Sequence, residues 1–383
     1  MFNAKELSNV LEYHPSEMPI TTFYLNLDEE SIKQRQHKIV LKDLFRYKTE
    51  KSYYKNLSDE AQSSIQDDFT KIEDFVTMQM NQIDGKKSLA VFSCSSNNLW
   101  ETLDLSVPLE TSMVINPHPY LRPLVEASSA HRKYAIILVD RAKARILEVD
   151  MGQTTEHLHI HEEDMPDQVK EGDFEGTSER RIERHINDHV RQHLKKVAEK
   201  ALQLQQSQRF KWIYLGGRQE IISEFEKLLH SYVTENVEGT IIVEPHAPLE
   251  EVIKKAEKAE AASREKYETN LLSQLSDEIG KSARGIAGIP GVLNAQRRGQ
   301  VDTLLVQQEF STKGFYCPEC NYMTIKREEE RCPLDDARLL RTPDIIDNLI
   351  NEVIKQGASV EMIQKSMDDF DEIGALLRFP IGK

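Results

Sequence analysis

At 383 residues the chain has room for roughly two to three domains of about 150 residues each. Its 49 Lys and Arg against 64 Asp and Glu give a formal net charge of −15, which excludes a protein that coats a polyanion with every face, because phosphates repel a uniformly acidic surface. With 39% hydrophobic and 30% charged residues the composition is that of a soluble globular protein, and no stretch approaches the ~18 to 20 apolar residues of a membrane span.

The start, MFNAKELSNVLEYH, lacks a basic segment followed by an apolar one, so a cytoplasmic protein is expected. Residues 20–30, ITTFYLNLDEE, alternate β-branched or aromatic with polar residues and predict a half-buried strand. A helical tract follows from Ser31 to about Ile83, with apolar residues such as Val40, Leu41 and Leu44 and then Ile72, Phe75 and Val76 at helical spacing. It breaks near Asn56-Leu57-Ser58, which reads as a loop and N-cap. SLAVFSCSSNNLWETLDL, residues 88–105, reads as a hairpin turned by Ser95 to Asn98, and Pro117, Pro119 and Pro123 punctuate its exit. A first domain boundary is placed close to Ser129.

KYAIILVDRAKARILEVDMG, residues 133–152, gives two strands around a polar turn, the first apolar enough to lie inside a sheet. A third short strand is expected around Leu158, then an acidic loop over 162–177 and a helix from Ser178 to Gln206. KWIYLGG is another buried strand, ISEFEKLLHSYV an amphipathic helix, and residues 250–281 a long charged helix with pairs such as Glu251 to Lys255. The last segment has a strand at 301–308, a Cys-bearing insertion, the helix DIIDNLINEVIKQG, and the strands SVEMIQ and GALLRFP. Strands alternating with helices define an α/β (α+β) multidomain protein.

Three of the four cysteines lie within Cys317 to Cys332, while Cys94 stands alone; the clustering suggests metal more than cross-linking. Cys317-Pro-Glu-Cys320 and Cys332-Pro-Leu-Asp335 form two C-P-x-ligand knuckles. Two-residue spacing lets two side chains of one tight turn bind one tetrahedral ion, so Cys317, Cys320, Cys332 and Asp335 (or Asp336) are the candidate zinc ligands. His157, His159 and His161 alternate along a strand, which reads as the exposed face of an edge strand with Leu158 and Ile160 buried, a metal site being the alternative. His185, His189 and His193 form an i, i+4, i+8 stripe read as a solvated helix face.

Residues 178–200 carry seven Lys or Arg against four Asp or Glu, a local net charge of +3. Arg180, Arg184, Arg191 and Lys195 share one helix face, a stripe suited to phosphates, and Arg218, Arg297 and Arg298 are further basic loop positions. No phosphate-binding GxxxxGK[ST], GxGxxG, GxSxG or HExxH is present.

The order of these pieces resembles the archaeo-eukaryotic class I release factors and Pelota over about residues 131–383. The matching runs are AIILVDRAKARILEV, the S-x-R-R-x-x-R-H helix start, IYLGGRQEIISEF, GQVDTLLVQQEF, the Cys knuckles, GASVEMI and GALLRF. The first segment, with TTFYLNLD, LAVFSCSSNNLWETLDL and YLRPLVEA, is more similar to the bacterial relatives of that family, among them ribosome hibernation factors. The resemblance implies three domains: an N-terminal α/β domain over 1–129 at the decoding centre, an RNase-H-like middle domain over 130–268 near the peptidyl-transferase centre, and a C-terminal domain over 269–383. The last is of the kink-turn-binding ribosomal-protein (L7Ae-like) type, with an inserted zinc-ribbon-like hairpin over 314–338.

The same resemblance implies the ribosome (16S and 23S ribosomal RNA, A site) and elongation factor Tu as partners, with no DNA and no membrane. Release factors carry Gly-Gly-Gln at the tip of the middle-domain loop, where this sequence has Glu175-Gly176-Thr177. One glycine remains and the glutamine that helps place the hydrolytic water does not. The stop-codon-reading Asn-Ile-Lys-Ser is also missing, Ser31-Ile32-Lys33-Gln34 being a faint echo. The expectation is therefore a non-enzymatic, stress-associated occupant of the A site, of the hibernation type, with Glu175, Gly176, Thr177, Ser178, Arg180, Arg181, Arg184, Arg191 and Lys195 against ribosomal RNA. The alternatives are a peptidyl-tRNA hydrolase using another loop residue such as Gln168, and a metal-dependent RNA-processing enzyme on the His157 to His161 face.

Overall fold

The computed structural model describes residues 8–13, 18–28, 30, 36–79, 86–161, 177–326 and 330–380. The chain forms two compact units, Met1–Ala130 with Glu268–Lys383, and His131–Tyr267. It is a mixed α/β protein with several separate sheets, the class its alternating strands and helices predict.

The first segment runs α1 (Ser8–Leu11), β1 (Ile20–Asn26), α2 (His37–Thr49), α3 (Ser52–Lys55), α4 (Asp59–Gln79), β2 (Ser88–Cys94), β3 (Leu99–Leu105), β4 (Ser112–Asn116) and α5 (Arg122–Ala130). Its antiparallel sheet has the order β3-β2-β1-β4. Helix α4 turns Ile65, Phe69, Ile72 and Val76 onto that sheet at i, i+4, i+7 and i+11, and the Phe69 ring stacks on Phe45 at 4.2 Å. Asp68, on the same buried stripe, accepts hydrogen bonds from Thr21 Oγ1 (2.9 Å), Ser93 Oγ (2.6 Å), Ser95 N (2.9 Å) and Ser95 Oγ (2.7 Å). These bonds compensate a carboxylate that burial would otherwise penalise.

The middle unit holds β5 (Tyr134–Val139), β6 (Lys143–Asp150), β7 (Gln153–His161), α6 (Thr177–Gln208), β8 (Trp212–Gly217), α7 (Gln219–Glu226), α8 (Ser231–Thr234) and β9 (Val237–Ile241), with α9 (Leu249–Gly280) beginning in it. The sheet order is β7-β6-β5-β8-β9, antiparallel through β7, β6 and β5, then parallel through β8 and β9. Period-two alternation assigns each face of β5 a different cover. Ala135, Ile137 and Val139 pack with α6 and α7, and Tyr134, Ile136 and Leu138 with Val252 and Ala256 of α9. Gly217 closes β8 at φ +140°, and a Cβ there would drive into the carbonyl oxygen of Val139. Gly217→Ala is accordingly expected to cost about 1–3 kcal/mol, read by urea unfolding; an unchanged midpoint would contradict the close approach.

The last segment contains β10 (Gly285–Ala287), α10 (Ile289–Arg297), β11 (Val301–Gln307), β12 (Gly314–Tyr316), β13 (Met323–Thr324), β14 (Leu340–Thr342), α11 (Ile345–Lys355), β15 (Ser359–Ile363) and β16 (Ile373–Leu377). Strands β10-β16-β11-β15 form one sheet, and β13-β12-β14 a small one of their own. Helix α11 starts at Asp344, whose carboxylate accepts from Ile346 N at 3.0 Å and so caps an exposed backbone donor. Its stripe of Ile345, Ile346, Leu349, Ile350 and Val353 fills the core against β11 and β16.

Candidate metal centre and basic helix

The Cys-bearing insertion is built from two copies of one turn. In the first, Cys317 N donates to Tyr322 O (2.8 Å), Asn321 N donates to Cys317 O (3.0 Å), and Asn321 has φ +57°. In the second, Cys332 N donates to Ala337 O (2.8 Å), Asp336 N donates to Cys332 O (3.0 Å), and Asp336 has φ +62°. Asn and Asp tolerate the left-handed region better than other non-glycine residues, which is why they close both turns. Asp335 therefore stands where the repeat would place a fourth cysteine. Asp336, the other candidate, is spent on closing the turn.

One ligand atom from each of Cys317, Cys320, Cys332 and Asp335 lies within 4.8 Å of all the others. A tetrahedral ion with bonds of about 2.3 Å separates its ligands by roughly 3.8 Å, so the donor set fits a closed, structural zinc site. The Cys320 and Cys332 sulfurs are 3.4 Å apart, beyond a disulfide's ~2.05 Å, and all the cysteines are free. Burial pushes the Cys317 and Cys320 thiols up, while hydrogen bonds, first from Cys320 and then from Ala337 N, hold the Asp335 carboxyl well below its ordinary range. A divalent cation would take the place of the thiol protons at these same atoms. The local apolar support is thin, with Cys317, Cys332 and Leu339 buried and Phe315, Tyr322 and Ala337 beside them.

The basic stripe lies on α6. Its buried side is Val190, Leu194, Val197, Ala198, Ala201 and Leu204, and Arg191 and Lys195 are exposed. Thr177 and Ser178 open the helix. The side chains of Thr177, Ser178, Arg180, Arg181 and Arg184 lie outside the described atoms, as do Glu175, Gly176 and Gln168 altogether.

The two histidine stripes behave differently. His193 is only 1% exposed, which corrects its reading as part of a solvated face. It lies three residues after Val190 and four before Val197, inside the buried stripe, and His189 alone of the described pair is exposed. On the edge strand β7, Leu158 and Ile160 do pack on the core. The pairing with β6 skips His157, and each described histidine has a glutamate: His157 Nε2 lies 2.6 Å from Glu148 Oε2, and His159 Nδ1 lies 3.0 Å from Glu156 Oε1. Lys133 and Arg145 complete these pairs at 2.6 and 2.8 Å. Burial opposes ionisation of Glu148, but bonds from Lys133 and His157 outweigh it and hold the carboxyl low. Among the described residues only the cysteine set clusters as metal ligands.

One buried hub carries no sequence signal because its members are far apart in the chain. Arg122, at the start of α5, donates to Glu126 (3.0 Å), to Asp344 (2.8 Å) and to Phe310 O (2.6 Å), with its side chain 7% exposed. Arg122→Leu would leave the buried Asp344 carboxylate without its cation. A stability loss of about 3–5 kcal/mol is expected by denaturant titration; a loss below about 1 kcal/mol would refute the hub.

Comparison with known proteins places this α/β arrangement. Residues 119–261 match the family model described as bacterial archaeo-eukaryotic release factor family 10. Peptide chain release factor subunit 1 of Methanocaldococcus jannaschii is 29% identical over 307 residues, covering 68% of this chain and 69% of that protein. The same factor of Archaeoglobus fulgidus is 25% identical over 283 residues, with the same coverage. Among solved structures, a ribosome-bound archaeal Pelota with ABCE1 aligns over 77% of this chain and 78% of that one, at 15% identity and a TM-score of 0.43. Over residues 119–261 the chain is thus a relative of the bacterial archaeo-eukaryotic release factors, and over a longer stretch it is similar to the archaeal factors.

Proposed function

We propose that this protein binds the ribosome and occupies its A site without hydrolysing peptidyl-tRNA, in the manner of a hibernation factor. The observation that carries the reading is the sequence just before α6. A family whose hydrolytic members need Gly-Gly-Gln is represented here by Glu175-Gly176-Thr177, which lacks the side chain that places water. The likeness to archaeal release factors over 307 residues supports the ribosome as partner. The exposed cations Arg191 and Lys195 on an otherwise acidic chain support a local phosphate contact.

In this reading the first segment lies at the decoding centre, the middle unit's loop near the peptidyl-transferase centre, and the last segment meets elongation factor Tu. No helix among the described residues is long and apolar enough to cross a membrane. The zinc site would hold the β12-β13-β14 hairpin in shape and take no part in chemistry.

The test is a peptidyl-tRNA release assay on purified ribosome complexes. No release above background is expected at saturating protein. Release that is abolished by Gln168→Ala would replace the occupant with a hydrolase.

A further inference from the structure

The first and last segments enclose a cavity of about 750 Å³ within one compact unit. That size is inside the roughly 300–1,000 Å³ of small-molecule sites. Its wall is graded. Lys51, Tyr53 and Arg341 are exposed at the cavity, and His118, Tyr316 and Asn351 are 5%, 4% and 1% exposed. The His118 and Tyr316 rings meet at 5.6 Å and 65°. Among the described residues none of Lys48, Lys51 and Arg341 forms an ion pair, although all three belong to the wall. Lys51 instead lies 3.8 Å from the centroid of the Tyr47 ring.

The buried part of the wall has hydrogen-bonding capacity that the protein does not use. The amide nitrogen of Asn351 donates to Pro119 O (2.9 Å) and Asp347 O (2.8 Å). That fixes the amide orientation and leaves Asn351 Oδ1 without a hydrogen-bond partner, as is His118 Nδ1. Buried polar atoms are normally satisfied, and an unsatisfied set gathered in one cavity wall is what a ligand's polar edge would complete. Burial lowers the His118 pKa to about 4 and raises that of Asp347 to about 8. At neutral pH the imidazole is therefore uncharged and can act as a hydrogen-bonding ring.

We propose that this cavity is a nucleotide pocket, taking one heteroaromatic base between its aromatic and amide groups and the attached phosphate at the Lys48, Lys51 and Arg341 end. A base supplies a flat face for Tyr and His and an edge of donors for Asn351 Oδ1, and a phosphate supplies the anion that three unpaired cations lack. The shared chemistry is a nucleoside 5′-phosphate, delivered either as a free nucleotide or as one unstacked residue of an RNA strand. The proposal rests on the cavity and not on ribosome binding.

The test is calorimetric titration of the full chain with each of the four ribonucleoside 5′-monophosphates, with inorganic phosphate, and with a short single-stranded RNA. At least one nucleotide is expected to bind 1:1 and at least about tenfold more tightly than phosphate alone. Lys51→Glu and Tyr53→Ala, both at exposed positions, are expected to weaken binding about tenfold or more with unchanged thermal melting. RNA binding no tighter than the mononucleotide assigns the free ligand, and RNA binding that is tighter and competed by the mononucleotide assigns a strand. No saturable binding of any nucleotide or RNA, or affinities equal to phosphate and indifferent to both substitutions, would overturn the proposal.

Discussion

Replacing Cys332 with Ser is expected to take bound zinc from one equivalent per chain to none and to loosen the whole β12-β13-β14 hairpin. Structural zinc sites contribute on the order of 10 kcal/mol in small domains that lack a core of their own; here the knuckle end has only a small apolar cluster around Cys317, Cys332 and Leu339, while Tyr316 and Met323 tie the strands to the main core. Elemental analysis gives the first readout. The second is protection of the Tyr322 and Ala337 carbonyl-bonded amides, Cys317 N and Cys332 N, in hydrogen exchange. The repeat adds a sharper expectation. Because Asp335 sits in the turn position of Cys320, Asp335→Cys restores a fourth thiolate and is expected to tighten zinc by tenfold or more, thiolates being the softer ligands. Zinc-free protein with unchanged exchange, or no gain in Asp335→Cys, would show that the knuckles hold without metal.

Charge reversal on α6 is the second large effect. Converting Arg180, Arg184 and Arg191 to Glu removes up to three phosphate contacts, so the slope of log affinity against log salt is expected to fall by about three. Affinity for ribosomes at low salt should fall by a hundredfold or more. The fold should persist, since Arg191 lies away from the buried Leu194 and Val197. Lys254→Glu with Lys258→Glu, two exposed positions on the acidic helix α9, serves as control and is expected to change neither slope nor affinity. If the control and the α6 variant behave alike, the stripe is only a solvated helix face.

Elements with a strong period were legible in the sequence. The hairpin turned at Ser95 appears as β2 and β3 with a 3₁₀ turn over Ser95–Asn97, and the charged tract at 250–281 appears as α9 at Leu249–Gly280. Elements without such a signal were not. Helix α5 follows Pro119 and contains Pro123, which read as loop punctuation, yet a proline in the first helical turn costs little because its missing N–H would have no partner there. β9 carries Gly239 in its middle and β10 has three residues, too little for alternation to speak.

The candidate sites divide along the same line. The cysteine set was readable because both halves of each knuckle are close in sequence, and the matched backbone bonds show that the two C-P-x-ligand knuckles share one turn geometry. A stripe of histidines at helical spacing fits a polar face and an apolar one equally well, and for His193 its neighbours Val190 and Val197 decide. The Arg122 to Asp344 pair spans 222 residues and leaves no local trace. A net charge of −15 with the exposed Arg191 and Lys195 on one face of α6 is suited to a local phosphate contact and to little adhesion elsewhere.

The most direct measurement is co-sedimentation of the protein with purified ribosomes whose A site is either vacant or filled by a tRNA. The occupant account predicts near-stoichiometric binding to vacant ribosomes and its loss when the A site is filled. Equal recovery with both, or none with either, would contradict it.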